Sequence, residues 1–117
     1  MQYMLLIYHN EAAQPAAAEL AKMMEEYRAF TQDIVQAGKF KAADRLQPTA
    51  TARTVRVRNA RTETIDGPFA ETKEQLGGYY LVEAKDIDEA TAIAARIPGA
   101  RWGSVEVRPV FLMERND

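Results

Sequence analysis

Fifteen consecutive residues, Asp66-Gly67-Pro68-Phe69-Ala70-Glu71-Thr72-Lys73-Glu74-Gln75-Leu76-Gly77-Gly78-Tyr79-Tyr80, gather most of the side chains in this chain that could do chemistry. Asp66 opens a turn, because Gly67 accepts positive φ and Pro68 fixes its own φ and donates no backbone hydrogen bond. Its carboxylate has two readings: it accepts N–H groups of its own turn, or it points into a cleft as an acid, base or ligand anchor. Glu71, Lys73 and Glu74 follow on a short turn or helical start capped by Thr72. As a group they read as a solvated charged loop. Lys73 has the sharper alternative, since a lysine in a cleft between two chains could hold an anionic substrate. Tyr79 and Tyr80 are neighbours on a strand and face opposite sides, one to the core and one to an interface, with one hydroxyl available to a cleft.

His9 is the only histidine. Histidine is the side chain that exchanges a proton near neutral pH, so His9 is a candidate general base, set against a strand-end histidine with no role. One histidine with scattered carboxylates gives no metal-ligand spacing, and no metal or cofactor is expected. Arg53, Arg56, Arg58 and Arg61 form a basic stripe. In a chain with net charge −2 they are too few to point to nucleic acid.

The bulk composition narrows the class. A chain of 117 residues, 47% hydrophobic and 27% charged, is expected to be one globular domain spanning 1–117. There is no cysteine, which removes disulfides and thiolate chemistry together. No apolar run approaches the roughly 20 residues that cross a bilayer. The opening Met1-Gln2-Tyr3-Met4 lacks a basic leader, so a cytoplasmic protein without membrane contact is expected.

The elements that must position these residues follow from periodicity. Residues 2 to 9 read as a strand apolar on both faces. After a loop over 10 to 14, Pro15 suits the first position of a helix of about five turns, whose inner face carries Leu20, Met23, Met24, Tyr27, Phe30 and Ile34. Gly38 stops it. Residues 39 to 47 read as a second strand, and 54 to 58 and 62 to 66 as the arms of a hairpin turned by Asn59-Ala60-Arg61. Residues 78 to 84 form a strand apolar on both sides. Asp86 and Glu89 resemble a capping box, opening a helix with Ala90, Ile93, Ala94 and Ile97 inside, stopped by Pro98-Gly99. A last strand spans 104 to 110, Pro109 placing its end at a sheet edge, and 114 to 117 read as a frayed tail.

The order β-α-β-β-β-β-α-β is an α+β, ferredoxin-like pattern with an inserted hairpin. Two helices cover one face of such a sheet. The apolar second faces of the first and Tyr79-Tyr80 strands therefore call for another cover, and a second copy of the chain is the simplest.

The motif DGPFAETKEQLGGYYLVEA, with Ala95-Arg96-Ile97-Pro98, Gly103 to Val110, Met4-Leu5-Leu6-Ile7-Tyr8, Leu46-Gln47-Pro48 and Thr54-Val55-Arg56-Val57, resembles the DGPF branch of the YCII-related proteins over nearly the whole chain. The resemblance implies a homodimer forming a dimeric α+β barrel. It also suggests a signalling role beside an extracytoplasmic-function sigma factor as partner. Some relatives pair a histidine on the first helix with an aspartate; here that helix has no histidine, and Tyr27 or its neighbours occupy the region. Their proton-transfer chemistry is therefore not carried over. The expected function is a dimeric small-molecule-binding or regulatory module, with Lys73, Glu71, Tyr79 and Tyr27 on the ligand. The alternative is an enzyme using acid–base chemistry for elimination, isomerisation or hydrolysis, with Asp66 as base and Lys73 or His9 assisting. A third reading rests function on contacts with another protein.

Overall fold

The computed structural model describes residues 1–13 and 15–112; the tail over 114 to 117 lies outside them. The elements run β1 (Gln2–His9), α1 (Ala17–Gln36), β2 (Phe40–Arg45), β3 (Arg53–Arg58), β4 (Arg61–Asp66), β5 (Gln75–Glu83), α2 (Ile87–Ala95) and β6 (Ser104–Pro109), with 3₁₀ turns at Thr49–Thr51 and Pro98–Arg101. This is a mixed α+β domain with two helices. Its main sheet has the order β2-β5-β1-β6 with antiparallel neighbours, an order compatible with a ferredoxin-like arrangement.

One face of that sheet is the core. Tyr3, Leu5 and Ile7 of β1 and Tyr80 and Val82 of β5 are buried against Phe30 and Ile34 of α1 and Ala90, Ile93 and Ala94 of α2. Phe30 meets Tyr80 edge to face at 5.2 Å between ring centroids, the arrangement aromatic quadrupoles favour. The opposite face carries Met4 and Leu6 of β1, in register with Leu81 and Tyr79 of β5 and with Arg108 and Glu106 of β6. No helix covers it.

Helix α1 stops and helix α2 starts as their sequences require, but α2 ends at Ala95, so Ile97 lies beyond it as the cap of the 3₁₀ turn Pro98–Arg101. Gly38 has φ +73°, its N–H reaches the Val35 carbonyl, and the Lys39 N–H reaches the Ile34 carbonyl. That pair of bonds is a Schellman stop. At α2, the Asp86 carboxylate accepts from the Glu89 N–H at 2.8 Å. The reciprocal half of a capping box is displaced by one residue, since Glu89 takes the N–H of Lys85 and the ammonium of Lys39 at 2.8 Å.

Five further expectations need correction. Helix α1 starts at Ala17 behind an Ala16 cap, so Pro15 lies outside it. Its inner face is buried only at Phe30 and Ile34, while Leu20 and Met24 are exposed, because the N-terminal half stands off the sheet. β5 begins at Gln75, three residues early, because His9 continues the β1 ladder to meet it. No helical start occupies 71–74; the Thr72 hydroxyl donates to the Glu74 carbonyl in an irregular loop. The turn is the two-residue Asn59-Ala60, both at positive φ, with Arg58 already paired to Arg61. That is the primed geometry whose twist matches a hairpin.

The hairpin is a sheet of its own. Val55 and Val57 are 58% and 59% exposed, and every β4 residue is exposed. Its neck is closed by the Gly67 N–H on the Ala52 carbonyl at 2.7 Å and the Thr54 hydroxyl on the Gly67 carbonyl. It projects as an arm.

Candidate functional site

Where α1 leaves the sheet, a cleft opens. Facing the N-terminal half of the helix, the sheet presents Ala43, Gly77 and Gly78, too small to fill the gap. The resulting cavity has a volume of about 680 Å³, within the range of small-molecule sites. Ile7, Leu20, Met23, Met24, Ala43 and Trp102 supply most of its apolar wall. The polar side chains on the helix-covered side are His9, Glu19, Tyr27, Arg45 and Tyr80, with Asn10 at the rim.

Glycines make room for two of these. A Cβ at Gly77 would lie 2.3 Å from His9 Cε1, so the imidazole rests directly over that backbone. A Cβ at Gly99 would lie 2.5 Å from the Tyr27 hydroxyl, which instead accepts the Gly99 N–H at 3.1 Å. Alternation along β2 puts Ala43 and Arg45, partners of Tyr80 and Gly78, on the cleft side. Asp44 and Tyr79 face the other way, where the Tyr79 hydroxyl donates to the Asp44 carboxylate at 2.7 Å.

The tyrosine protons can be traced one by one. Tyr8 donates to Glu106 and Tyr79 to Asp44. Thr31 commits its proton to the Tyr27 carbonyl at 2.8 Å, so in the 2.7 Å contact between Thr31 and Tyr80 the phenol must be the donor. Tyr27 accepts from Gly99 and donates to no described residue. It is the cleft's available phenol proton. Burial raises the Tyr27 pKa above the ordinary tyrosine value, offset in part by the Gly99 amide and the Arg45 and Arg101 guanidiniums. Burial likewise raises Tyr80. Both are neutral donors at physiological pH.

Of the residues singled out from the sequence, the cleft brings together His9, Tyr27 and Tyr80, with Tyr79 contributing at its edge. Asp66 is at the base of the arm, its side chain 93% exposed and 3.5 Å from Arg53. Glu71 and Lys73 are exposed on the loop beyond it and do not line the cavity. Their neighbour Glu74 is tied to β6, accepting from the Ser104 hydroxyl at 2.8 Å. Arg45 and Trp102 entered no expectation. The signal for Arg45 was its place two residues from Ala43 on a strand, but nothing local says which face of that strand meets a gap.

The arrangement can enclose an apolar molecule and offer it a phenol proton, a guanidinium and an imidazole. Among the described residues, no three His, Cys, Asp or Glu groups lie close enough to hold a metal ion. No helix among them is long and apolar enough to cross a membrane.

Comparison with known proteins gives two findings. The family described as the YCII-related domain matches residues 1–114. A protein of Rhizobium meliloti (strain 1021), described as uncharacterized, is 40% identical over 116 residues, covering 96% of this chain and 94% of that protein.

Proposed function

The chain belongs to the YCII-related family, and from that premise we propose that it is a small-molecule-binding protein whose ligand enters the cleft between α1 and the sheet. The observation that carries this reading is the cleft itself: about 680 Å³, walled by apolar side chains and provided with the uncommitted Tyr27 hydroxyl. An apolar cleft of this size with a few convergent polar groups has the form of a small-molecule site. We assign the chain to the DGPF branch on Asp66-Gly67-Pro68-Phe69, and its fold to a ferredoxin-like sandwich that pairs with a second copy through the uncovered sheet face. The two sheets would then pack as a dimeric barrel.

A thermal-shift screen of metabolites tests the reading, with wild type beside Tyr27→Phe and Met23→Trp, the latter filling the cleft. Compounds that stabilise wild type are expected to stabilise Tyr27→Phe less and Met23→Trp not at all. Stabilisation of Met23→Trp equal to wild type would move the ligand elsewhere and sink the proposal.

A second reading, an enzyme doing acid–base chemistry, is favoured by one observation: His9 and Tyr27 line the same cavity. In that reading His9 takes a proton and Tyr27 gives one. Asp66 would act as base only on a substrate reaching the arm. Turnover of a screened ligand by wild type, lost in His9→Gln with binding retained, would select this reading over binding alone.

A further inference from the structure

We infer that the cleft takes a small monocarboxylate with an apolar body, its carboxylate held by the Arg45 guanidinium and the Tyr27 hydroxyl. The inference rests on the proposal that the cleft is the ligand site, and adds the chemical class.

Three charged residues border the cavity, Glu19, Asp44 and Arg45, beside the imidazole of His9. The Asp44 carboxylate is engaged by Tyr79 on the opposite face of the sheet. Glu19 stands on the helix beside a second depression that also holds Lys22, Glu26 and Arg101, the last paired with Glu26. Arg45 makes no ion pair with any described carboxylate, although six such bridges form elsewhere. Asp44 forms no ion pair with a described residue either, but it faces the other side of the sheet, so the charge that β2 presents to the cleft is that of Arg45. Arg45 and Tyr27 line the same cavity.

The number of donors selects the anion. A guanidinium offers two parallel N–H bonds, the fork that fits a carboxylate, and Tyr27 adds one O–H. A phosphate monoester carries nearly two charges and rewards clusters of cations, which this end of the cleft does not supply. The rest of the wall is mostly apolar, including Leu20, Met24 and Trp102, each at least 36% exposed. Those side chains gain cover from an apolar body and would gain little from a polar one.

Trp102 is the only tryptophan and lies on the cleft wall, so its fluorescence reports occupancy directly. The probes are phenylacetate, 3-phenylpropionate and 4-phenylbutyrate, each beside its primary amide, which keeps the shape and removes the charge. At least one acid should bind wild type about tenfold or more tightly than its amide, a difference typical of one charge-assisted contact. Arg45→Met, on an exposed strand end, should erase that preference while still binding the amide. Tyr27→Phe should weaken acid and amide together, with part of the preference kept.

Amides binding as well as acids would overturn the carboxylate inference and leave the cleft standing as a ligand site. An acid preference that survives Arg45→Met would overturn the assignment to Arg45. Trp102 silent to all six compounds, with no thermal shift from them, would overturn both the inference and its premise.

Discussion

Among the described tyrosines, Tyr27 alone accepts a hydrogen bond through its hydroxyl without donating to a described residue, and it owes this state to Gly99. The Gly99 N–H holds the Tyr27 oxygen, and the missing Cβ lets it come close. Tyr27→Phe leaves the buried Gly99 N–H without an acceptor and should cost about 1–3 kcal/mol in urea unfolding. Gly77 and Gly103 differ instructively. The atoms nearest a methyl at Gly77 belong to the imidazole of His9, an exposed side chain that can swing away, so Gly77→Ala should cost under about 1 kcal/mol. It should nevertheless shift the His9 ring signals in NMR by evicting the imidazole from the cleft. A methyl at Gly103 would lie 2.0 Å from the Tyr8 carbonyl oxygen, which is backbone and cannot give way. Gly103→Ala should therefore destabilise by about 3 kcal/mol or more. Equal stability losses at the two glycines would show that His9 is fixed as firmly as the sheet.

Helix α2 is fastened by Glu89, which accepts from Lys39 beside the α1 stop and from the Lys85 N–H. The Lys39 ammonium, then the Lys85 amide, hold the Glu89 carboxyl below the ordinary glutamate value. A lowered folded-state pKa means stability present above the unfolded value, near pH 4.3, and lost as pH falls through the folded one. Glu89→Gln should thus lower stability at neutral pH and flatten the acid limb below about pH 4.5; an unchanged acid limb would assign that loss to other carboxylates. The cap at Asp86, the Gly38 stop and the alternation of β1 are local rules, and the sequence displays them. The cleft was not legible in the same way. Leu20, Met23 and Met24 have the spacing of a buried face, yet burial depends on what stands opposite. Opposite them stand Ala43, Gly77 and Gly78, brought there by the β1–β5–β2 register over long sequence separations. Asp66 read as a site residue because turn chemistry and functional loops share a composition. Whether a loop borders a cleft or carries an arm outward depends on packing that no local pattern encodes.

The radius of gyration is 16.6 Å, where a compact chain of this length would have about 13 Å. The excess reflects the arm, a two-stranded ribbon of a kind only marginally stable alone in water. The uncovered sheet face carries Met4, Leu6, Leu81 and Tyr79 beside the Tyr8–Glu106–Arg108 network. Face and arm are separate candidates for the contact between copies, and two variants tell them apart. Leu6→Asp with Leu81→Asp puts charges at the centre of the face without touching the core on the other side, since both alternate with buried neighbours. Replacing 53–66 by two glycines removes the arm where the chain already closes on itself, the Gly67 N–H bonding Ala52. Light scattering after gel filtration at micromolar concentration should give a dimer mass for wild type and for the arm deletion, and a monomer mass for the double aspartate variant. Desolvating four carboxylates against an apolar surface costs far more than the dimer gains there. A monomeric arm deletion beside a dimeric aspartate variant would transfer the interface to the arm, and would give Asp66, at the arm's base, a neighbour in the second chain. Wild type running as a monomer would remove the second copy as cover for the sheet, leaving its apolar face to a different partner.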